Sequence, residues 1–228
     1  MDGNGRWAQG RGLPRAAGHV AGVAAVRRIV ESAMEQGIGV LTLFAFSSDN
    51  WKRPGPEVQA LLRLLERSLR AEAEMCVRQG VRIEVMGRRD RLPARVVRAV
   101  EAAEQATAAA SALGRTLRLR LAVDYSSRDA IVQAAARGAA DRADIAHQLE
   151  PSRDGPTPDV DLLIRTGGEQ RLSDFLLWES AYAELYFTDV AWPDFDNGAL
   201  TAAMAEFSRR QRRFGAVLPD AQRTAVAS

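Results

Sequence analysis

Apolar residues along the chain follow two spacings, one typical of helices and one typical of strands. Apolar positions recur at helical spacing over 18–37, 57–79, 93–112, 128–149 (with a break near Gly138), about 173–183 and about 198–213. Short apolar runs predict strands over 38–46, 81–86, 117–123, 160–164 and 185–190. Residues 1–17, rich in glycine and arginine, are predicted to form a loop. The strand at 117–123 alternates leucine with arginine and predicts one apolar face.

Strands and helices alternate throughout, and the connections are long enough to join parallel strands. The sequence shows no linker and no shift in composition that would divide it. We therefore predict a single α/β domain over 1–228, with a mainly parallel central sheet flanked by helices. Residues 216–228 are expected to form a disordered tail.

The composition of the chain limits which kinds of ligand and which compartment are expected. With 46% hydrophobic residues the chain can bury a sizeable core, and 31 basic against 29 acidic residues leave a net charge of only +2. This charge is too small to argue for nucleic acid, although a pI near 9.1 suits anionic ligands. The single cysteine, Cys76, excludes an intramolecular disulfide and suits a reducing compartment. No signal peptide or membrane-spanning run is evident, so we expect a soluble, cytoplasmic protein.

The first seven residues, MDGNGRW, combine two glycines, an acid and an arginine. Such a turn can direct several backbone N–H groups into one concavity that binds an anion. Arg6 can clamp a phosphate with two hydrogen bonds. Asp2 should repel a phosphate unless a cation lies between them, so this juxtaposition suggests Mg²⁺ bridging the acid to a diphosphate.

Two further polar segments follow predicted strands, SSDNWKR at 47–53 and RTGGEQRLS at 165–173. Ligand sites of parallel sheets lie at the carboxyl ends of the strands. Arg165 and Arg171 flank a Gly-Gly turn, so both guanidiniums are expected to converge on a single diphosphate. Ser173 stands at a predicted helix start, where it is expected to cap the helix and to bind a phosphate. Three such segments together favour an anion site over simple turns.

These segments resemble the signature motifs of the cis-prenyltransferases, whose bacterial type is undecaprenyl diphosphate synthase. The matching stretches are DGNGRWA at 2–8, AFSSDNWKRP at 45–54, RTGGEQRLS at 165–173, FLLW at 175–178, YAELYF at 182–187 and WPDF at 192–195. They occur in the expected order and spacing from Asp2 to about residue 215, which chance matching does not explain.

The resemblance implies which residues bind each of the two diphosphate substrates. The allylic diphosphate is implied to bind Gly3, Asn4, Gly5, Arg6, Arg15 and His19. Asp2 is implied to hold Mg²⁺ and to assist departure of the diphosphate. Trp7 matches a residue that lines the prenyl site. The isopentenyl diphosphate is implied to bind the third segment through Arg165, Arg171, Leu172 and Ser173.

The remaining implied positions belong to the middle segment and to a second metal ligand. Substrate contacts are implied for Ser47, Ser48, Asp49, Trp51 and Arg53. Asn50 matches the residue proposed to help remove the proton, and Glu184 matches a second Mg²⁺ ligand. The resemblance also implies a homodimer, with the basic cluster at 209–213 near its interface, and transient contact with a membrane surface for product release.

Three departures from the family pattern stand out. The resemblance implies an apolar strand directly before Asp2; here Asp2 follows Met1, and we expect a misplaced start or a trimmed chain. Asp124 stands where relatives usually carry asparagine, which adds an acid near the site. Gln170 replaces a residue that is often histidine, which weakens any metal role there.

Three other interpretations of the sequence have less support than a cis-prenyltransferase. Residues 3–8 fit the dinucleotide pattern G-x-G-x-x-A, but no strand precedes them and Glu31 lies inside a predicted helix. His19 and His147 are the only histidines and have no metal-ligand spacing. A non-catalytic prenyltransferase-like subunit stays open, although Asp2, Asn50 and Glu184 are all present.

Product length is left open by the sequence. The small side chain of Ala45 favours a long product of undecaprenyl type, made from farnesyl diphosphate, over a short or medium chain. The apolar stripe of the helix at 57–79 and Leu117, Leu119 and Leu121 are candidate walls of a product tunnel, although most of these residues are expected to be ordinary core.

Overall fold

The protein folds into parallel strands that are connected by helices. The computed structural model describes residues 1–109, 117–149 and 158–210. The helices are α1 (Asn4–Gln9), α2 (Arg15–Glu35), α3 (Gly55–Gln79), α4 (Ala94–Thr107), α5 (Ser127–Ala136), α6 (Arg142–Gln148) and α7 (Asn197–Arg209). The strands are β1 (Val40–Ser47), β2 (Val81–Met86), β3 (Leu117–Tyr125), β4 (Leu162–Arg165) and β5 (Glu184–Phe187). Short 3₁₀ helices cover Ser48–Lys52 and Trp192–Asp194.

All strand pairs in the described residues are parallel, which confirms the predicted α/β class. β3 lies between β1 and β2 in one sheet, and β4 pairs with β5 in another. The expected single central sheet is therefore divided, and a cavity of about 490 Å³ lies between β1 and β4. The strand implied ahead of Asp2 would precede the described residues and stays a prediction.

The core lies between the three-stranded sheet and the helices packed on it. Leu62 of α3, Val96 and Val100 of α4 and Val81 of β2 are completely or almost completely buried there. Because parallel strands need long crossovers, each helix returns the chain to the same end of the sheet. The carboxyl ends of β1 and β3 consequently share one edge, where Ser47 lies in register with Tyr125.

The single apolar face predicted for β3 is confirmed, since Leu117, Leu119 and Leu121 lie in the core, but the opposite face, which carries the arginines, is buried as well. Arg120 is only 3% exposed, and Arg118 is mostly buried on the same face of the strand. Glu84 on the neighbouring strand β2 accepts a hydrogen bond from Arg118 and lies 3.8 Å from Arg120. Ion pairing across the strands is what permits these charges to be buried.

Two local predictions are wrong. The loop expected over 1–17 contains α1 and the first turn of α2. The helix expected over 173–183 is a series of turns, with φ angles of 51° at Ser173, 63° at Asp174 and 46° at Leu176. The Asp174 carboxylate accepts hydrogen bonds from the Ser126 hydroxyl and the Arg128 N–H, so this segment is drawn against the start of α5 instead of coiling into a helix.

Other boundaries agree closely with the prediction. β2 covers the predicted residues, and the break near Gly138 separates α5 from α6. α4 and α7 end at Thr107 and Arg209; the predicted helix ends at 110–112 and 211–213 and the tail at 216–228 lie outside the described residues. Within the described ranges, no helix is both long and apolar enough to cross a membrane.

α1 packs directly on α2 because two glycines leave room for it. A Cβ on Gly18 would lie 1.9 Å from the carbonyl oxygen of Asn4, and one on Gly22 would lie 2.5 Å from the Asn4 side-chain oxygen. Backbone atoms cannot yield as the end of a side chain can. Any larger residue at position 18 must therefore displace α1.

We predict that Gly18→Ala destabilises the protein, although alanine normally favours a helix by about 1 kcal/mol over glycine. The clash should reverse that gain and lower the free energy of unfolding by about 1–3 kcal/mol, as overpacking does. Urea unfolding measures this. The control is Gly39→Ala, since a Cβ on Gly39 meets nothing within 4 Å; equal losses from both variants would contradict the role of the contact between Gly18 and Asn4.

Candidate active site

The N-terminal turn is held against the end of β4 by hydrogen bonds that join distant parts of the chain. The Thr166 hydroxyl accepts a hydrogen bond from the Asp2 N–H (2.9 Å) and donates one to the Asp2 carbonyl oxygen (3.0 Å). The Trp192 N–H donates to the same carbonyl oxygen at 2.8 Å. These bonds fix the backbone of Asp2, so the position of its carboxylate is set by β4.

Gly3 makes this turn possible. Its φ angle is 91°, in the left-handed region that L side chains rarely adopt, and a Cβ there would lie 3.0 Å from the Cβ of Ala191. Gly167, with φ of 85°, approaches the Gly3 N–H from the third segment, so that a Cβ on Gly167 would lie 3.0 Å from that nitrogen. Glycine at both positions lets the first and third segments pack backbone to backbone.

The surroundings of Asp2 favour the ionised form of its carboxylate. Its burial alone would raise its pKa, but the hydrogen bonds from the Arg165 guanidinium (3.0 Å) and the Gly3 N–H (2.6 Å) outweigh burial. The charges of Arg165 and Arg6 act in the same direction, and the net effect is a lowered pKa. With 38% of its side chain exposed, Asp2 presents a charged carboxylate to the solvent-facing site.

The third segment gathers around Arg165. One guanidinium nitrogen donates to the Ser173 hydroxyl at 2.7 Å and to the Arg171 carbonyl oxygen, while the other donates to Asp2. The expectation that Ser173 caps a helix is wrong, because no helix begins there and its hydroxyl binds Arg165. Leu172 lies half-buried between them in the loop. The structure thus places Arg165, Ser173 and Asp2 together as predicted.

Arg6 and Arg171 face each other across a shared acid. Arg171 donates a hydrogen bond to Glu169, and Arg6 lies 3.6 Å from Glu169 and 3.7 Å from Asp2. Both Arg6 distances exceed hydrogen-bond length, and the side chain of Arg6 is 55% exposed. The two arginines therefore lie on either side of Glu169, at the rim of one site.

The middle segment is fixed by its own hydrogen bonds. The Asn50 side chain accepts a hydrogen bond from the Ser47 N–H at 3.1 Å, and Asp49 pairs with Lys52 at 2.6 Å. Ser48 begins the 3₁₀ helix. The Trp51 indole N–H donates to Asp124 at 2.9 Å. Ser47 ends β1, so the segment occupies the carboxyl edge of the sheet as predicted.

Glu57 joins Arg53 of the middle segment to two residues at the start of α2, a role that sequence reasoning missed. Its Oε1 atom lies 3.0 Å from Arg53, 3.5 Å from His19 and 3.7 Å from Arg15. Burial of His19, followed by the charge of Arg53, lowers the pKa of that histidine despite its contact with Glu57, so His19 is neutral at pH 7. An acid in the first turn of a helix has an ordinary role at a helix start, so the sequence carried no signal for Glu57.

An apolar cavity of about 170 Å³ begins at this site and runs between α2 and α3. Asn4 and His19 lie on its wall near the loops, and Ala45, Leu119 and Leu121 line it from the sheet. Its α3 wall includes Leu61, Leu62, Leu65 and Leu69. Leu62 and Leu69 are also buried in the core, so the predicted core and tunnel roles share residues. Leu117 is buried in the core and does not line the cavity.

Two predicted site residues lie elsewhere in this chain. The Trp7 indole N–H donates to Asp194 at 2.7 Å and its ring lies under Arg11, so Trp7 does not line the apolar cavity. Glu184 pairs in register with Leu162, three residues before Arg165, which places it about 10 Å along the strand from the Asp2 end. Its carboxylate accepts a hydrogen bond from Arg210 at 2.9 Å.

Asp124, the unusual acid, is an anchor for the middle segment. It is 1% exposed and has a φ angle of 51°. Besides Trp51, its carboxylate accepts hydrogen bonds from two nitrogens of Arg91, one of them at 2.9 Å. Arg91 was not predicted, since it lies far from the motifs in sequence.

The chain is similar to known proteins over nearly its whole length. A family model described as "Putative undecaprenyl diphosphate synthase" matches residues 1–215. Isoprenyl transferase 1 from Bradyrhizobium diazoefficiens is 56% identical over 226 residues, covering 96% of this chain and 90% of that protein. The ditrans,polycis-undecaprenyl-diphosphate synthase ((2E,6E)-farnesyl-diphosphate specific) of Pseudomonas aeruginosa is 48% identical over 227 residues, covering 94% of this chain and 88% of that protein.

The fold also matches solved structures. The crystal structure of lavandulyl diphosphate synthase from Lavandula x intermedia, in complex with dimethylallyl diphosphate, superposes with a TM-score of 0.87 at 34% identity. The match covers 94% of this chain and 95% of that one. The likeness thus extends over the sheet, the helices and the loops that carry the site.

We predict that Asp124→Ala lowers the free energy of unfolding by about 2–4 kcal/mol, since hydrogen bonds to charged groups contribute about 1.5–3 kcal/mol each and half-exposed Arg91 can regain water. Asp124→Asn should lose less, because its amide oxygen still accepts from Trp51. Urea unfolding measures both. The control, Asp90→Asn, breaks an exposed pair with Arg88 and should change stability little; a loss as large as that of Asp124→Ala would contradict the anchoring role.

Proposed function

Because the chain belongs to the prenyltransferase family of undecaprenyl diphosphate synthases, we propose that it is a cis-prenyltransferase that condenses isopentenyl diphosphate with an allylic diphosphate. We propose farnesyl diphosphate as the primer and a long cis-polyprenyl diphosphate of undecaprenyl type as the product, in line with the name of the Pseudomonas aeruginosa relative. The observation that carries this proposal is the ionised Asp2, held by Arg165 between two arginine-bearing loops at the mouth of an apolar cavity.

The first loop is proposed to bind the allylic diphosphate. Among the residues that the structure describes, the Arg6 side chain forms no ion pair shorter than 3.6 Å. Arg15 lies against Gly5, where a Cβ would come 2.6 Å from its guanidinium. Neutral His19 contacts the same Glu57 oxygen as Arg15 does. It can donate a hydrogen bond to phosphate. Gly3 and Asn4 complete this loop, and the apolar cavity that starts at Asn4 would receive the prenyl tail.

The third loop is proposed to bind isopentenyl diphosphate through Arg165, Arg171, Leu172 and Ser173. Arg165 and Ser173 are already joined by a 2.7 Å hydrogen bond, so both groups are pre-arranged around one position. Arginine binds such an anion with two parallel hydrogen bonds, a geometry that lysine does not offer. Asp2 lies between this position and the first loop.

Mg²⁺ is the proposed cofactor, and the residues fit it. Within the described residues no three acidic, histidine or cysteine side chains cluster as a metal site. Mg²⁺ often needs no such cluster, because it binds through one or two carboxylates together with substrate phosphates and water. The ionised, part-exposed Asp2 supplies such a carboxylate, whereas Glu184 is bound to Arg210 and would have to leave it. The ion would neutralise charge on the departing diphosphate.

The chemistry follows from this arrangement. The carbon–oxygen bond of the allylic diphosphate breaks, the isopentenyl double bond forms the new carbon–carbon bond, and a proton leaves the isopentenyl unit. Arg6, Arg15 and Arg165 stabilise charge that develops on diphosphate, which lowers the barrier more than it strengthens ground-state binding. Asn50 is proposed to help remove the proton, and Ser47, Ser48, Asp49, Trp51 and Arg53 are the proposed neighbouring substrate contacts. Trp7 stays a proposed contact outside the cavity.

We also propose a cytoplasmic homodimer that contacts the membrane surface transiently to release its product and does not bind nucleic acid. Arg209 and Arg210 end α7 on the side of Glu184 and Glu206. Leu185, whose carbonyl oxygen accepts a hydrogen bond from Arg210, is exposed beside them. Light scattering of the purified protein checks the dimer, and a monomer at micromolar concentration would contradict it.

We predict that Asp2→Asn lowers kcat at least about 100-fold, because a neutral amide cannot hold a cation against diphosphate. Incorporation of labelled isopentenyl diphosphate into lipid, with farnesyl diphosphate and with or without Mg²⁺, measures this. Glu74→Gln, at an exposed ion pair on α3, should keep wild-type activity. Wild-type activity in a folded Asp2→Asn variant would remove Asp2 from its role; no incorporation by the wild-type protein would favour a non-catalytic subunit or another primer.

Ala45→Leu should shorten the product, because Ala45 lines the apolar cavity from β1 and a larger side chain removes space there. Chromatography of the dephosphorylated products measures chain length. An unchanged length distribution would show that Ala45 does not border the path of the growing chain. Wild-type products of short or medium length would replace the long-chain proposal itself.

A further inference from the structure

The residue that follows the third segment, Asp174, is fixed to a distant part of the chain. Its two carboxylate oxygens accept separate hydrogen bonds, one from the Ser126 hydroxyl at 2.6 Å and one from the Arg128 N–H at 2.9 Å. Its carbonyl oxygen accepts a third from the Ser127 N–H at 3.1 Å. The side chain and the backbone of Asp174 are therefore both held by the corner between β3 and α5.

This corner is itself firmly held. The Ser126 hydroxyl also accepts a hydrogen bond from the Asp129 N–H at 3.1 Å, which caps α5. Ser127 is completely buried, and its hydroxyl accepts a hydrogen bond from the Leu177 N–H at 3.0 Å. Asp174 thus docks on a capped and buried helix start.

Ser173, directly before Asp174, has a backbone conformation that its own side chain does not enforce. Its φ angle is 51°, in the left-handed region that L residues rarely adopt, and the φ angle of Asp174 is 63°. Such conformations persist only where the surrounding structure fixes them. Ser173 is exposed, so burial of its side chain does not supply this restraint. The hydrogen bonds of Asp174 supply it from the adjacent residue.

Apolar packing holds the same segment in a less specific way. The Phe175 ring stacks on that of Phe44 with the ring centroids 4.5 Å apart, and Leu176 is buried in the same cluster. Burial of apolar surface is non-directional, so it determines how deeply the segment lies without determining the φ angle of Ser173. Hydrogen bonds depend on direction as well as distance, so those of Asp174 orient the turn.

We propose that Asp174 is a positioning residue for the isopentenyl diphosphate site: docked on the start of α5, it holds Ser173 so that the serine hydroxyl and the Arg165 guanidinium converge on one phosphate. The Ser173 hydroxyl lies 2.7 Å from that guanidinium, whose second nitrogen binds Asp2. A turn that relaxed to ordinary φ angles would move the hydroxyl away. This inference rests on the proposed prenyltransferase activity. Since Asp174 acts through Ser173, its loss should weaken binding of isopentenyl diphosphate and spare the allylic substrate.

Calorimetric titration with isopentenyl diphosphate, in the presence of Mg²⁺ and a non-reactive analogue of farnesyl diphosphate, tests the proposal without turnover. Asp174→Ala should raise the Kd for isopentenyl diphosphate at least about tenfold, because small misplacements of binding groups are costly, and should leave the Kd for the analogue unchanged. Asp174→Asn, whose amide oxygen can still accept one hydrogen bond, should lie between Asp174→Ala and wild type. An unchanged Kd for isopentenyl diphosphate, or equal weakening of both ligands, would overturn the proposal.

Asp141→Ala is the matched control, because it also removes an acid that holds a helix start. Asp141 caps α6 by accepting a hydrogen bond from the Asp144 N–H at 2.9 Å, and it is exposed and outside the proposed substrate loops. The Kd for either ligand should match that of the wild-type protein. Weakened binding of isopentenyl diphosphate in this variant would show that a loosened helix start is sufficient, and would overturn the specific role of Asp174.

Ser126→Ala is a second variant with a milder structural change. It removes one hydrogen bond of Asp174 and should raise the Kd for isopentenyl diphosphate about threefold. Combined with Asp174→Ala it should add nothing, because Ser126 acts through Asp174. An unchanged Kd in Ser126→Ala would overturn the proposal even where Asp174→Ala does not fold, and additive effects in the double variant would overturn it where that variant folds.

The outcomes separate the two levels of inference. A wild-type protein that neither binds nor incorporates isopentenyl diphosphate defeats the proposed function. A wild-type protein that does both, with binding insensitive to Asp174→Ala, defeats only the role of Asp174.

Discussion

The site depends on the reciprocal hydrogen bonds between Asp2 and Thr166, two residues separated by 164 positions in the chain. They attach the N-terminal turn to the end of β4, and they work only because Gly3 and Gly167 admit close backbone contact. This attachment brings Asp2 to Arg165, which lowers the pKa of the carboxyl against the opposing effect of burial. Without it, the loop that carries Arg6 and the loop that carries Arg171 would not share one rim.

Much of this site could be predicted because most of its residues lie in three short segments of the sequence. Apolar runs predicted each strand found in the described residues, and three polar segments after predicted strands or at the N-terminus indicated an anion site at one edge of the sheet. The family resemblance assigned roles within those segments. Asp2, Arg165 and Ser173 do lie together in the structure, and Asn50 and Trp51 do lie at the end of β1.

The errors arise where distant residues override a local pattern. The turns at Ser173 and Asp174 replace a helix because Asp174 binds the start of α5. The burial of Arg120 contradicts no prediction, but the alternation along β3 does not reveal it, because it depends on Glu84 of the neighbouring strand. Glu57 contacts Arg15 and His19, and Arg91 binds Asp124, although these partners are distant in the sequence. Residues such as Leu62 serve at once as core and as cavity wall, a distinction that periodicity alone cannot make.

A structure of the protein crystallised with Mg²⁺, isopentenyl diphosphate and a non-reactive analogue of farnesyl diphosphate would test the central claim most directly. We expect one diphosphate at Gly3–Arg6 and the other at Arg165, Arg171 and Ser173, with the Asp2 carboxylate on the cation between them and the prenyl tail entering the cavity between α2 and α3. Diphosphates bound away from these loops, or a cation that does not contact Asp2, would contradict it.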